Sequence, residues 1–195
     1  MATPKGYLLL YNIVSALLWL RILLAVITSY GDSQIYTTIE PWTRWTQTLA
    51  ALEVLHAATG ITRSPIFTTF TQIFARSVQV WAINYGFPEV TAFSAAYPAM
   101  LFAWSTADVV RYLYFSVLLA GDPVPRALKW LRYSLFLILY PIGIGSEWWL
   151  MYRATTVTTN LLIGGIFYFF LGLYAPGSVM MYSYMVRQRR KTLLK

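Results

Sequence analysis

A phenol and a carboxylate stand seven residues apart, at Tyr140 and Glu147, inside the otherwise apolar run from Leu135 to Leu150. The segment reads Tyr140-Pro141-Ile142-Gly143-Ile144-Gly145-Ser146-Glu147. Seven residues make almost two helical turns, so the two side chains share a face, with Cα atoms about 10 Å apart on a straight helix. Helical side chains lean toward the N-terminus, so Glu147 reaches back toward Tyr140. A kink at Pro141 would change that gap. Gly143 and Gly145 let another backbone or a ligand come close. A carboxylate can take a proton from the carbon next to a carbonyl, and a phenol can protonate a departing oxygen. Together these meet the needs of β-elimination of water from a 3-hydroxyacyl thioester. The same pair suits an isomerase or a lipid hydrolase. A kinked packing helix with one buried glutamic acid is the structural alternative.

Other polar residues interrupt apolar stretches. A charge at the centre of a bilayer costs about 2.5–3.5 kcal/mol on insertion scales, so such groups face a protein interior. Glu53 and His56 are three apart and share a helical face. The expectation is a carboxylate–imidazole hydrogen bond that holds helices together. Asp108 and Arg111 have the same spacing and read as a local ion pair, or as an arginine facing a polar cavity. Gln72, Arg76 and Gln79 form a stripe that should look inward. Arg76 or Arg111 could stand beside Glu147 or bind an anionic part of a substrate.

Six helical segments, with four or five membrane spans as the alternative, position these groups. They fall at about residues 7–30, 44–62, 66–85, 92–120, 126–152 and 158–186. Gly31-Asp32 with Pro41, Arg63-Ser64-Pro65, Gly86-Phe87-Pro88-Glu89 and Gly121-Asp122-Pro123 separate them. The first is longer than a signal peptide's apolar core and contains Arg21, so it reads as a retained span. With a cytosolic N-terminus, Lys5, Arg63, Arg126, Lys129, Arg132, Arg187, Arg189, Arg190, Lys191 and Lys195 lie on the cytosolic side. Only Arg44 and Arg153 then fall opposite. The positive-inside rule therefore places both termini in the cytosol.

Composition supports this reading. The 195 residues are 58% hydrophobic and 11% charged, against about 45–50% and 25% for soluble domains. Disordered chains and ordinary water-soluble enzymes are excluded. The net charge of +8 is a membrane protein's basic anchor rather than a sign of nucleic acid. There is no cysteine and one histidine, which removes thiol nucleophiles, disulfides and multi-histidine metal sites within one chain.

Several segments together carry a resemblance. They are Tyr7-Leu8-Leu9-Leu10-Tyr11-Asn12; Leu52-Glu53-Val54-Leu55-His56 with Gly60 and Arg63-Ser64; Gln72-Ile73-Phe74-Ala75-Arg76-Ser77; Trp104-Ser105 with Arg111-Tyr112; and Tyr140-Pro141-x-Gly143-x-x-x-Glu147. In this order they resemble the very-long-chain (3R)-3-hydroxyacyl-CoA dehydratase family, also called protein tyrosine phosphatase-like membrane proteins. Asp108 stands where many relatives carry glutamate, so it is read as a supporting residue only.

The resemblance implies an all-α single domain, residues 1–195, of six transmembrane helices in the endoplasmic reticulum membrane. It implies dehydration of 3-hydroxyacyl-CoA to trans-2-enoyl-CoA, the third step of fatty acid elongation, with Tyr140 and Glu147 as the catalytic pair. The other elongation enzymes (condensing enzyme, ketoacyl-CoA reductase and enoyl-CoA reductase) are the partners it implies. A phosphatase of the cysteine type is excluded by the missing thiolate. Dehydration is redox neutral and requires no metal or redox cofactor. The insoluble acyl tail should occupy an apolar tunnel, with Trp19, Phe167, Phe169 or Phe170 as its stopper. Arg63, Arg126, Lys129 and Arg132 are candidates for the CoA phosphates. A non-catalytic scaffold or a small lipid-binding or transport protein is the competing reading.

Overall fold

In a computed structural model, residues 5–32 and 34–193 are described. Lys195, counted above with the basic tail, lies outside them. All regular structure among the described residues is helical: α1 (Lys5–Thr28), α2 (Ile35–Leu49), α3 (Ala51–Ala58), α4 (Ile66–Val78), a π-helical segment (Gln79–Tyr85) continuing α4, α5 (Pro88–Thr91), α6 (Ala96–Ala120), α7 (Arg126–Ser134), α8 (Phe136–Val157) and α9 (Leu161–Leu193).

Among the described residues, three stretches are long and apolar enough to cross a membrane: α1, the nearly continuous run Arg126–Val157, and α9. α1 shows why. It buries Leu8, Tyr11, Ala16, Trp19, Ile22 and Val26, yet Leu10, Leu17, Leu24 and Ile27 on the other face are exposed. A helix apolar all round needs an apolar surrounding. α6 has 25 residues but carries Asp108 and Arg111, and these dilute its hydropathy. Its polar groups face inward, where Ser105 and Asp108 are buried.

α6 is the central element, packed against α1 on one side and α8 on the other; α9 covers α8. The core joins Trp19 and Ile22 of α1, Met100, Leu101 and Trp104 of α6, Leu150 and Met151 of α8, and Phe167 and Leu171 of α9. Trp19 and Phe167, two of the expected stoppers, are thus core residues. Phe169 is 65% exposed. Gly121 ends α6 at φ +93°, a left-handed cap that a side chain would strain.

The helix boundaries correct the reading of the second segment. It begins at Ile35, and Pro41 lies inside α2 rather than in a loop. Proline costs one backbone hydrogen bond there. Burial of Ile35, Ile39, Glu40 and Thr43 on the inner face offsets it. Arg44 is consequently not at a span end; it sits within α2, paired with Glu40 at 3.0 Å. α9 runs seven residues beyond the expected end, to Leu193.

Candidate active site

The order of the helices brings Tyr140 and Glu147 of α8 between α6 and α9. Glu147 is buried, at 7% exposure. Its Oε1 accepts a hydrogen bond from Trp104 Nε1 at 2.8 Å. Its Oε2 accepts one from the Tyr174 hydroxyl at 2.9 Å. Tyr140, two turns earlier on the same helix, is half-buried. Its hydroxyl points toward the Ser178 carbonyl, 3.4 Å away, and its ring lies 6.0 Å from that of Tyr182. Tyr174, Ser178 and Tyr182 recur every four residues, so one stripe of α9 faces the pair on α8.

Gly143 makes room for this arrangement. A Cβ there would lie 3.7 Å from Ala103 Cβ and Trp104 Cδ1, and 3.8 Å from Glu147 Oε1. A methyl group would touch; a longer side chain would push the indole or the carboxylate aside.

A second polar centre occupies the α1–α3–α6 contact. Arg111 bridges Glu53 with two bonds, Nη1 to Oε2 at 2.7 Å and Nη2 to Oε1 at 3.0 Å. Its Nε also donates to Asp108 Oδ1 at 3.0 Å. The hydroxyl of Tyr112 donates to Glu53 as well, and that of Tyr11 does so at 3.4 Å. Asp108 takes a second cation, with Arg76 Nη2 2.7 Å from Oδ2. The Arg76 guanidinium then lies 4.1 Å from the ring centre of Trp104. One continuous set of contacts therefore runs from Glu53 through Arg111, Asp108, Arg76 and Trp104 to Glu147.

These contacts settle several expectations. The Asp108–Arg111 ion pair is present. Neither Arg76 nor Arg111 pairs directly with Glu147. Glu53 and His56 do not bond to each other: the imidazole Nε2 meets the Tyr7 hydroxyl at 2.9 Å, because the start of α1 packs over the buried ring, while the bidentate arginine claims Glu53. The Gln72–Arg76–Gln79 stripe turns inward only in part. Gln79 is fully buried and donates to Asn84 Oδ1 at 3.2 Å. Gln72 is exposed, 4.0 Å from Met181 Sδ. α4 lies at the periphery with no buried residue, so its polar stripe has no core to enter.

Of the CoA candidates, Arg63 and Arg126 are exposed, and Lys129 and Arg132 are half-buried. The Arg132 guanidinium lies 5.2 Å from the Phe115 ring centre and 5.9 Å from those of Tyr114 and Tyr133. The Tyr7–His56 and Glu53–Arg111 bonds join the start of α1, α3 and the second half of α6, and an Arg189 Nε to Ser134 Oγ bond at 3.1 Å joins the end of α9 to the end of α7.

Sequence reasoning missed Tyr174 entirely. It is one of fifteen tyrosines in an unpatterned apolar run, and only the antiparallel register of α9 against α8 selects it. Trp104 stood in a recognised segment without a role.

The chain has seven carboxylate side chains. Asp32, Glu89 and Asp122 are exposed. Glu40, Glu53 and Asp108 each face an arginine. Among the described residues, Glu147 alone is enclosed without an ion pair, held by two neutral donors. A carboxylate so placed, beside a phenol and within helices suited to a membrane, defines a candidate acid–base site in an all-helical membrane protein. Residues 47–195 match the family described as protein tyrosine phosphatase-like protein, PTPLA. The chain belongs to that family. It is 38% identical over 194 residues to the probable very-long-chain (3R)-3-hydroxyacyl-CoA dehydratase of Schizosaccharomyces pombe, covering 95% of this chain and 91% of the relative. It is 36% identical to very-long-chain (3R)-3-hydroxyacyl-CoA dehydratase PASTICCINO 2 of Arabidopsis thaliana, with 98% and 94% covered. To very-long-chain (3R)-3-hydroxyacyl-CoA dehydratase 2 of Homo sapiens it is 31% identical, with 96% and 81% covered. No solved structure matches the chain significantly.

Proposed function

We propose that this protein dehydrates very-long-chain (3R)-3-hydroxyacyl-CoA to trans-2-enoyl-CoA, the third step of fatty acid elongation. The observation that carries the reading is the environment of Glu147. Its oxygens are oriented by Trp104 and Tyr174 and not neutralised by an arginine, so the group is available to move a proton. The names of the relatives supply the substrate class.

In the reaction Glu147 takes the proton from C2. The electron pair of that C–H bond becomes the second bond of C2=C3, and the C3–O bond breaks. Tyr140 gives its phenolic proton to the departing hydroxyl, which leaves as water. One proton then passes from Glu147 to the Tyr140 oxygen to restore both groups. The opposite division of roles balances equally. Acid–base assistance of this kind contributes about 10²–10⁴-fold in rate.

The same reading gives six membrane spans, formed by α1, α2 with α3, α4 with its π-helical continuation, α6, α7 with α8, and α9. Both termini face the cytosol, the membrane is that of the endoplasmic reticulum, and the acyl tail lies among the helices. Arg63, Arg126, Lys129 and Arg132 face the CoA phosphates at the cytosolic end. The other enzymes of the elongation cycle are the expected partners.

The test is kinetic. Glu147→Gln and Tyr140→Phe, purified in detergent, are assayed on a long 3-hydroxyacyl-CoA. Each should lose at least about 10²-fold in kcat while keeping its helical circular dichroism. Folded variants that retain the parental rate would remove both residues from the chemistry. A wild-type protein that dehydrates no substrate yet captures elongation enzymes would favour the scaffold.

A further inference from the structure

We infer that the groove between α8 and α9 is the lateral passage through which the acyl chain of the substrate reaches Glu147 from the lipid. The inference rests on the dehydratase reading. The groove holds about 220 Å³ and is lined by Ile144, Gly145, Trp148, Tyr174, Ala175 and Ser178. Two of these residues are the hydrogen-bond partners of the proposed catalytic pair: Tyr174 holds Glu147 at 2.9 Å, and the Ser178 carbonyl faces Tyr140. The groove is thus one side chain away from the reacting groups, with Tyr174 standing between it and Glu147.

Its outer rim is small and open. Gly145 and Ala175 are exposed, and a Cβ added at Gly145 would meet nothing within 4 Å. Apart from the Tyr174 hydroxyl and Ser178, the lining side chains are apolar. A very long acyl chain is insoluble in water and resides in the bilayer, so it must pass between helices to bring C2 and C3 to a buried carboxylate. A cleft narrower than the roughly 300–1,000 Å³ of small-molecule pockets suits part of a single alkyl chain. A larger groove, about 420 Å³, lies between α1 and α2, lined by Leu18, Pro41, Trp42, Trp45, Thr46 and Leu49. None of its residues bonds to Glu147 or Tyr140.

Gly145→Leu and Ala175→Leu narrow the passage from its two walls. Leucine is a better helix former than glycine, and the space beside Gly145 is empty, so that variant should fold. The reading is the ratio of kcat/KM for a long 3-hydroxyacyl-CoA to that for a short one. The ratio should fall at least about tenfold, the lower end of the discrimination an apolar site makes over one methylene. Folded variants with the parental ratio overturn the passage. A second measurement needs no turnover: a long 3-hydroxyacyl-CoA carrying a diazirine in its tail is photolysed on the wild-type protein in nanodiscs. Label at Ile144–Trp148 or Tyr174–Ser178 supports the passage, and label confined to the α1–α2 groove overturns it. Label in the α8–α9 groove of a protein that dehydrates no substrate would uphold the passage as a lipid-chain site and refute the dehydratase reading alone.

Discussion

The indole of Trp104 donates to Glu147 Oε1 at 2.8 Å, so a residue of the central helix aims the carboxylate of the next. The Arg76 guanidinium rests over the ring of that indole, and Tyr174 completes the grip from α9. The carboxylate is oriented by groups that do not cancel its charge.

Removing either donor should therefore slow catalysis without unfolding the protein. A hydrogen bond to a charged group is worth about 1.5–3 kcal/mol, which is roughly tenfold to a hundredfold in rate. Trp104→Phe and Tyr174→Phe should each lower kcat within that range, with KM changed less than about twofold. Steady-state kinetics with circular dichroism checks this. A rise in KM with kcat unchanged would mean that the donors serve substrate binding.

Arg111 should behave differently, because it ties α6 to α3 through Glu53 and restrains Asp108. Breaking a fully buried ion pair by removing one partner costs about 3–5 kcal/mol; this pair is half-buried, so the cost should fall below that range. Arg111→Met should lower Tm sharply in a thermal-shift assay in detergent. Combining it with Glu53→Gln should cost less than the sum of the two single changes. Strict additivity would show that Arg111 and Glu53 are not energetically coupled.

Topology has a direct readout, since the chain contains no cysteine. Single cysteines at Arg126, Arg153 and Arg187 can be labelled in sealed microsomes with a membrane-impermeant maleimide. Positions 126 and 187 should react from the cytosolic side and position 153 only after permeabilisation. Labelling of all three from one side would reduce the number of spans.

The shared face of Tyr140 and Glu147 was legible because helical periodicity is local. The Asp108–Arg111 pair was legible for the same reason. Partnerships set by packing were not. The spacing of Glu53 and His56 allowed a bond between them, but Arg111, fifty-eight residues from Glu53, offers a bidentate pairing that an imidazole cannot match. Gln72 shares a stripe with Gln79, yet α4 sits too far out for that stripe to be buried throughout. Pro41 misled by its usual meaning: proline marks helix ends when nothing compensates, and here the buried face of α2 compensates.

The length of α9 has a mechanical consequence. Its 33 residues extend about 50 Å at 1.5 Å per residue, whereas a bilayer's hydrocarbon is about 30 Å thick. The final turns, bearing Arg187, Arg189, Arg190 and Lys191, must project past the hydrocarbon as a cationic post. Because Arg189 fastens that post to Ser134 at the end of α7, tilting it would lever the top of the helix pair that carries Tyr140 and Tyr174.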